Sequence, residues 1–214
     1  MVFHDPDSQE VVGIDVDVLQ AFANEYGLQM NITESTFSGI WELPAAGEVD
    51  IAGSGISRLD SRLVEGMQWS APYYEVRRSL SVRAADRDRL RTIADFEDLT
   101  ISYTPGSTGE FDARQRAPAS ARLVPYVVEE EAVRDLLEGR IDAIARGDVS
   151  SLYDARVNPS LAVTDLHFYD PREFFVFSIP SDNESLQEAI DEFLTEMVRS
   201  GAIDTIVQKY LTRD

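Results

Sequence analysis

The chain has 214 residues, 43% of them hydrophobic, enough for a sizeable core in one larger domain or in two lobes of about 100 residues each. It has no cysteine and only two histidines, His4 and His167, which excludes disulfides, thiol chemistry and thiolate zinc sites and leaves little scope for histidine-rich metal clusters or a histidine-based triad. Against 39 acidic residues stand 19 basic ones, with Lys209 the sole lysine, and the resulting net charge of −20 makes nucleic acid and anionic membrane poor partners.

Such acidity with almost no lysine fits work in concentrated salt, where repulsion is screened within about 3 Å at 1 M. Codon usage that favours arginine over lysine accounts for the same composition. No run of eighteen apolar residues is present, so no segment is expected to span a membrane. Met1 to Asp5 has neither the basic region nor the apolar core of an export leader.

In chain order, a polar turn is expected at 5–9. A helix follows, with Val16, Leu19, Phe22, Ala23 and Tyr26 on one face and Gly27 closing it. A strand is expected at 29–33, a short helix at 38–46 and a buried strand at 49–52, which ends in the small-residue turn Gly53-Ser54-Gly55. Residues 73–82 read as one long strand, and the charged run 84–89 reads as a crossing between lobes. Strand and helix then alternate, as in an α/β sheet: strands at 100–103, 123–127 and 139–145, and helices after Gly106, over 132–137 and over 149–155. Residues 173–179 form the next expected strand. Asp182 or Asn183 caps a helix with Leu186, Ile190, Phe193, Leu194, Met197 and Val198 on its apolar face, and Ser200-Gly201 separates it from a final helix over 202–211.

The chemistry concentrates in residues 37–62. Glycines at a strand end let backbone N–H groups approach a ligand, Ser57 adds a hydroxyl, and Arg62 returns a planar fork of donors to the same point. That set suits a carboxylate. The competing readings are a surface arginine on a short helix over 58–64, paired with Asp60 or Glu65, and a tight turn at Gly55 and Ser57 that holds no ligand.

The spacing Phe37, Gly39, Asp50, Gly55-Ile56-Ser57, Arg62, followed by Trp69-Ser70-Ala71-Pro72-Tyr73, resembles the type II periplasmic solute-binding proteins, in particular polar amino-acid binders such as the glutamine- and histidine-binding proteins. Further likenesses are Gly13-Ile14-Asp15-Val16-Asp17-Val18, Gly139-Arg140-Ile141-Asp142-Ala143 and the terminal Lys209-Tyr210. The resemblance implies an α/β, two-lobed fold with a mixed sheet flanked by helices in each lobe and two hinge crossings, lobe 1 comprising 1–83 and 176–214 and lobe 2 comprising 84–175. It implies capture of a polar amino acid or similar zwitterion between the lobes, without cofactor or chemistry, by a monomer that delivers it to the membrane permease of an ABC transporter.

It also implies roles residue by residue. Arg62, Gly55 and Ser57 hold the ligand carboxylate, Phe37 packs on the ligand side chain, and Ser107 and Thr108, at a helix start, complete the carboxylate cage from the facing lobe. An N-cap is the ordinary alternative for Ser107. Asp148 is the candidate partner of the ligand ammonium, although the family spacing puts the aspartate at position 147, where this chain has Gly147. Either the strand end bulges by one residue, Asp148 merely caps the next helix, or the ammonium contact is altered. Family members are exported, so a periplasmic or extracellular site is implied, with the leader, and a first strand of which Phe3 is the remnant, outside this sequence. The rival readings are the sensory domain of a receptor or channel and a dehydratase on the same fold.

Overall fold

The computed structural model describes residues 1–5, 8, 10–164 and 173–212. His167 and three positions of the expected first turn, Pro6, Asp7 and Gln9, lie outside them. The strands and helices in chain order are β1 (Phe3–His4), β2 (Val11–Val12), α1 (Ile14–Glu25), β3 (Ala52–Ser57), β4 (Met67–Trp69), β5 (Tyr74–Val76), β6 (Arg78–Arg83), β7 (Thr100–Tyr103), α2 (Thr108–Arg116), β8 (Arg122–Pro125), α3 (Glu129–Leu137), β9 (Ala143–Gly147), α4 (Asp148–Val157), β10 (Leu161–Val163), β11 (Glu173–Pro180), α5 (Glu184–Ser200) and α6 (Ala202–Leu211). The described residues form two compact units, one drawn from 1–75 with 173–212 and the other from 76–164.

In the first unit β11 lies between β3 and β4, antiparallel to both, and β5 also pairs with it. Trp41, Ala52, Ile56, Met67, Trp69 and Val176 form a core on this sheet. The glycine-rich stretch is not the turn expected at 53–55, because β3 runs straight through it. The reason lies across the sheet: a Cβ on Gly53 would sit 2.6 Å from the Phe177 ring, and one on Gly55 3.3 Å from that of Phe175. Gly55 also has φ +64°, beside a register shift between Val176 and Ser178, a bulge that a β-branched residue would resist.

Helix α1 turns Ile14, Val18, Phe22 and Ala23 inward, a face offset from the expected one on which Val16 and Leu19 are only partly covered. Lys209 and Tyr210 of α6 bond Asp17 of α1 at 2.7 and 2.9 Å, which gives the terminal Lys-Tyr pair a mechanical role. Asn183 caps α5 by accepting the Leu186 N–H at 3.2 Å, and Gly201, at φ +77°, ends that helix. The strand expected at 29–33 does not form, since no described segment pairs with it, and Leu28 and Ile32 are exposed. The helix expected at 38–46 reduces to one 3-10 turn, Ile40–Glu42, because Gly39 is left-handed and Pro44 offers no N–H.

The second unit holds a five-stranded sheet in the order β10-β6-β9-β7-β8, parallel where β7 meets β8 and β9 and antiparallel elsewhere. Alternation along β9 serves two cores. Ala143 and Ala145 pack with Leu80, Val82, Leu90, Phe96, Ile101 and Tyr103, while Ile144 packs with Ala132, Leu136, Ile141 and Leu161. The single strand expected at 73–82 is two strands: β5 joins the first unit's sheet and β6 the second's. The first unit gives way to the second after Glu75 and resumes at Glu173.

Asp95 caps the 3-10 turn Ile93–Phe96 that delivers Phe96 to the core. It accepts the Thr92 and Arg91 N–H groups at 2.7 and 2.9 Å, and these bonds, that of Thr92 first, hold its carboxyl below the usual value. A depressed folded-state value means the stabilisation is complete above the unfolded-state pKa and is lost as pH falls through the folded one. Asp95→Asn is expected to lower Tm at neutral pH, with the gap to the native protein closing on acidification past the ordinary carboxylate range, as read by calorimetric melts across that range.

Candidate functional site

Arg62 ends the short 3-10 turn Asp60–Arg62 and is only 6% exposed. Its Nη1 donates to the Ser57 carbonyl at 2.9 Å, and its guanidinium carbon lies 4.5 Å from the Trp41 ring centre and 5.7 Å from that of Phe37. Phe37 and Trp41 meet edge to face at 6.2 Å. Two aromatic faces and a carbonyl thus fix the plane of a group that stays charged at any working pH, a geometry suited to a bidentate anion. Phe37, Ser57 and Arg62 lie together, and Trp41, a member of the core, packs on the same guanidinium.

Gly55 differs from its expected role. Its N–H donates to Asp15 at 3.2 Å, so that donor is spent inside the unit. Asp15, fully buried, also accepts from the Tyr73 hydroxyl, whose pKa is driven well above its usual value by burial first and the Asp15 charge second. Ser57, 3% exposed, donates its hydroxyl to Glu173, the first residue of β11 and itself 7% exposed. Sequence reasoning missed Glu173. Its one signal was an acidic residue opening an otherwise apolar strand.

In the second unit Ser107 is the N-cap of α2: its Oγ accepts the Glu110 N–H at 3.1 Å, leaving its own O–H to donate. Glu110 in turn accepts the Gly106 N–H at 2.8 Å. Thr108 follows in the first helical turn, and Gly109 seats that turn on β9, where a Cβ would be 2.1 Å from the Ala145 carbonyl oxygen.

Asp148 opens α4. It bonds the chain at Arg77 twice, its N–H donating to the Arg77 carbonyl at 2.7 Å and its Oδ1 accepting the Arg77 N–H at 3.0 Å. No bulge shifts it elsewhere, because β9 stays in register with β6 from Val82 opposite Ala143 to Arg78 opposite Gly147. Two buried arginines also escaped the sequence reading. Arg78 pairs with Asp112 at 2.7 Å, and Arg146 takes Ser81 Oγ at 3.0 Å together with Asp154.

The profile of the family described as bacterial extracellular solute-binding proteins, family 3, matches residues 1–213. The chain belongs to this family. It is 25% identical over 207 residues to ABC transporter arginine-binding protein 1 of Escherichia coli, covering 95% of this chain and 83% of that one. It is 27% identical, at a TM-score of 0.89, to the solved structure of an amino acid ABC transporter substrate-binding protein from Streptococcus pneumoniae bound to L-arginine, covering 100% of this chain and 90% of that one. Membrane-bound lytic murein transglycosylase F of Salmonella paratyphi B is 24% identical over 205 residues; these are 93% of this chain but only 39% of the transglycosylase. The fold is thus the α/β type II periplasmic-binding fold, each unit a sheet flanked by helices. Among the described residues no helix is long and apolar enough to cross a membrane.

Gly109→Ala is expected to destabilise the protein by about 1–3 kcal/mol or more, because backbone rather than a movable side chain meets the added methyl. Urea denaturation checks it, as a lower midpoint at unchanged m value.

Proposed function

We propose that this family member captures a polar amino acid through its carboxylate, without chemical conversion, outside the cytoplasm and for delivery to an ABC permease. The observation that carries the reading is the buried Arg62 guanidinium, oriented by Ser57, Trp41 and Phe37. Arg62 and Ser57 take the carboxylate, and Phe37 lies against the ligand side chain. A cationic amino acid is favoured, because the E. coli relative is named an arginine-binding protein and the S. pneumoniae structure holds L-arginine. The net charge of −20 supports a working environment of high salt.

A second reading draws support from the transglycosylase, of which this chain matches 39%: the same module acting as a ligand-sensing domain within a larger membrane-bound protein. A full-length gene product carrying a transmembrane segment beside the module decides for it.

Arg62→Ala is expected to weaken amino-acid binding by about 3–5 kcal/mol, because the bound carboxylate loses its buried partner, while the far-UV circular dichroism stays unchanged. Titration calorimetry in molar salt, on the amino acid that raises Tm most, makes the test. Equal affinity in native protein and variant overturns the reading.

A further inference from the structure

Resting on that carboxylate-binding role for Arg62, we infer that Glu173 is the residue that receives the ligand ammonium. An amino acid brought out of water needs an anion for its ammonium as well as a cation for its carboxylate. Asp148, the acid singled out by the sequence, has its Oδ1 on the Arg77 N–H, and the unbroken β9 register leaves Gly147, without a side chain, at the end of the strand. Glu173 answers the need from the other unit.

Its carboxylate and the Arg62 guanidinium converge on one residue: Glu173 accepts from the Ser57 hydroxyl, and Arg62 donates to the Ser57 carbonyl at 2.9 Å. Both charged side chains are more than nine-tenths buried, at 7% and 6% exposure. Opposite charges bonded to one serine suit the two ends of an α-amino acid, whose ammonium and carboxylate are held on a single carbon. Strand β11 fixes the acid end through the Phe175 pairing with Ser57 and the Arg58 N–H bond to the Phe174 carbonyl at 3.0 Å. The 3-10 turn fixes the basic end. Such a site favours a free α-ammonium over a simple carboxylate, because the ammonium adds an attraction to Glu173 that the deaminated acid lacks.

The test compares two probes by calorimetry on the full chain: the common amino acid that raises Tm most, and its α-deaminated counterpart, which for L-arginine is 5-guanidinopentanoate. Native protein is expected to favour the amino acid. Glu173→Gln keeps an acceptor for Ser57 and is expected to cost the amino acid about 10- to 100-fold in affinity while changing the deaminated probe little. Glu173→Asp should recover part of the discrimination, and Asp148→Asn should leave it intact. A Glu173→Gln effect equal on both probes marks a purely structural role and overturns the inference, as does discrimination that disappears in Asp148→Asn but survives in Glu173→Gln. If Arg62→Ala abolishes binding while Glu173→Gln preserves the ratio, the carboxylate reading stands and this assignment alone falls. If no common amino acid binds the native protein, both fall.

Discussion

A guanidinium removed from water is the constraint on which the first unit depends. Arg62 keeps its charge under any physiological condition, and a charge buried to this degree is tolerable only when its donors are met and its plane is held. The Ser57 carbonyl meets one donor at 2.9 Å, and the Trp41 and Phe37 rings hold the plane. Each of these is placed by something larger. Ser57 ends β3, the strand whose glycines let the Phe175 and Phe177 rings of β11 approach it closely. Trp41 is set by a 3-10 turn between a left-handed Gly39 and Pro44, and its carbonyl accepts the Ser178 hydroxyl at 2.7 Å. The geometry around the arginine is therefore a property of the sheet, not of the short turn that carries it.

In the second unit arginine binds elements together. Arg83 donates to the Leu136 and Ile141 carbonyls at 2.9 and 2.6 Å while pairing with Asp86 and Asp142, so one side chain joins β6 to the end of α3 and to the segment that enters β9. Arg78 and Arg146 act from buried positions on the same sheet. In a chain with 19 basic residues against 39 acidic ones, several of the few cations are committed to internal bonds. A fork of five donors suits that use better than an ammonium does, which gives the preference for arginine a structural use beside any genomic cause. Exposed pairs such as Arg91 with Asp88 add little by comparison.

On the proposed reading, the residues for the ligand carboxylate lie together in the first unit, while Asp148, the acid expected to meet the ammonium, is bonded to the Arg77 backbone in the second. The matched spacing from Phe37 to Arg62 brings its aromatic, serine and arginine into one place. The shift of the aspartate from 147 to 148 does not vanish into a bulge: it converts that acid into a clasp on the Arg77 backbone.

The sequence by itself determined what depends on near neighbours. Caps and periodicity located α5, α6 and the start of α2, and the spacing of glycine, serine and arginine after Phe37 pointed to an anion clamp and to the family. Tertiary structure alone decided what depends on partners distant in the chain. Whether 53–55 is turn or strand rests on two phenylalanines more than a hundred positions later. Whether 29–33 forms a strand rests on a ladder partner, and where one unit gives way to the next rests on which sheet each half of 73–82 joins. Glu173 lies 116 positions from the serine it bonds, a separation no local pattern records. Helix signals are written within a turn or two of chain, whereas strand pairing and buried charge pairs are settled by whichever surfaces the folded chain brings together.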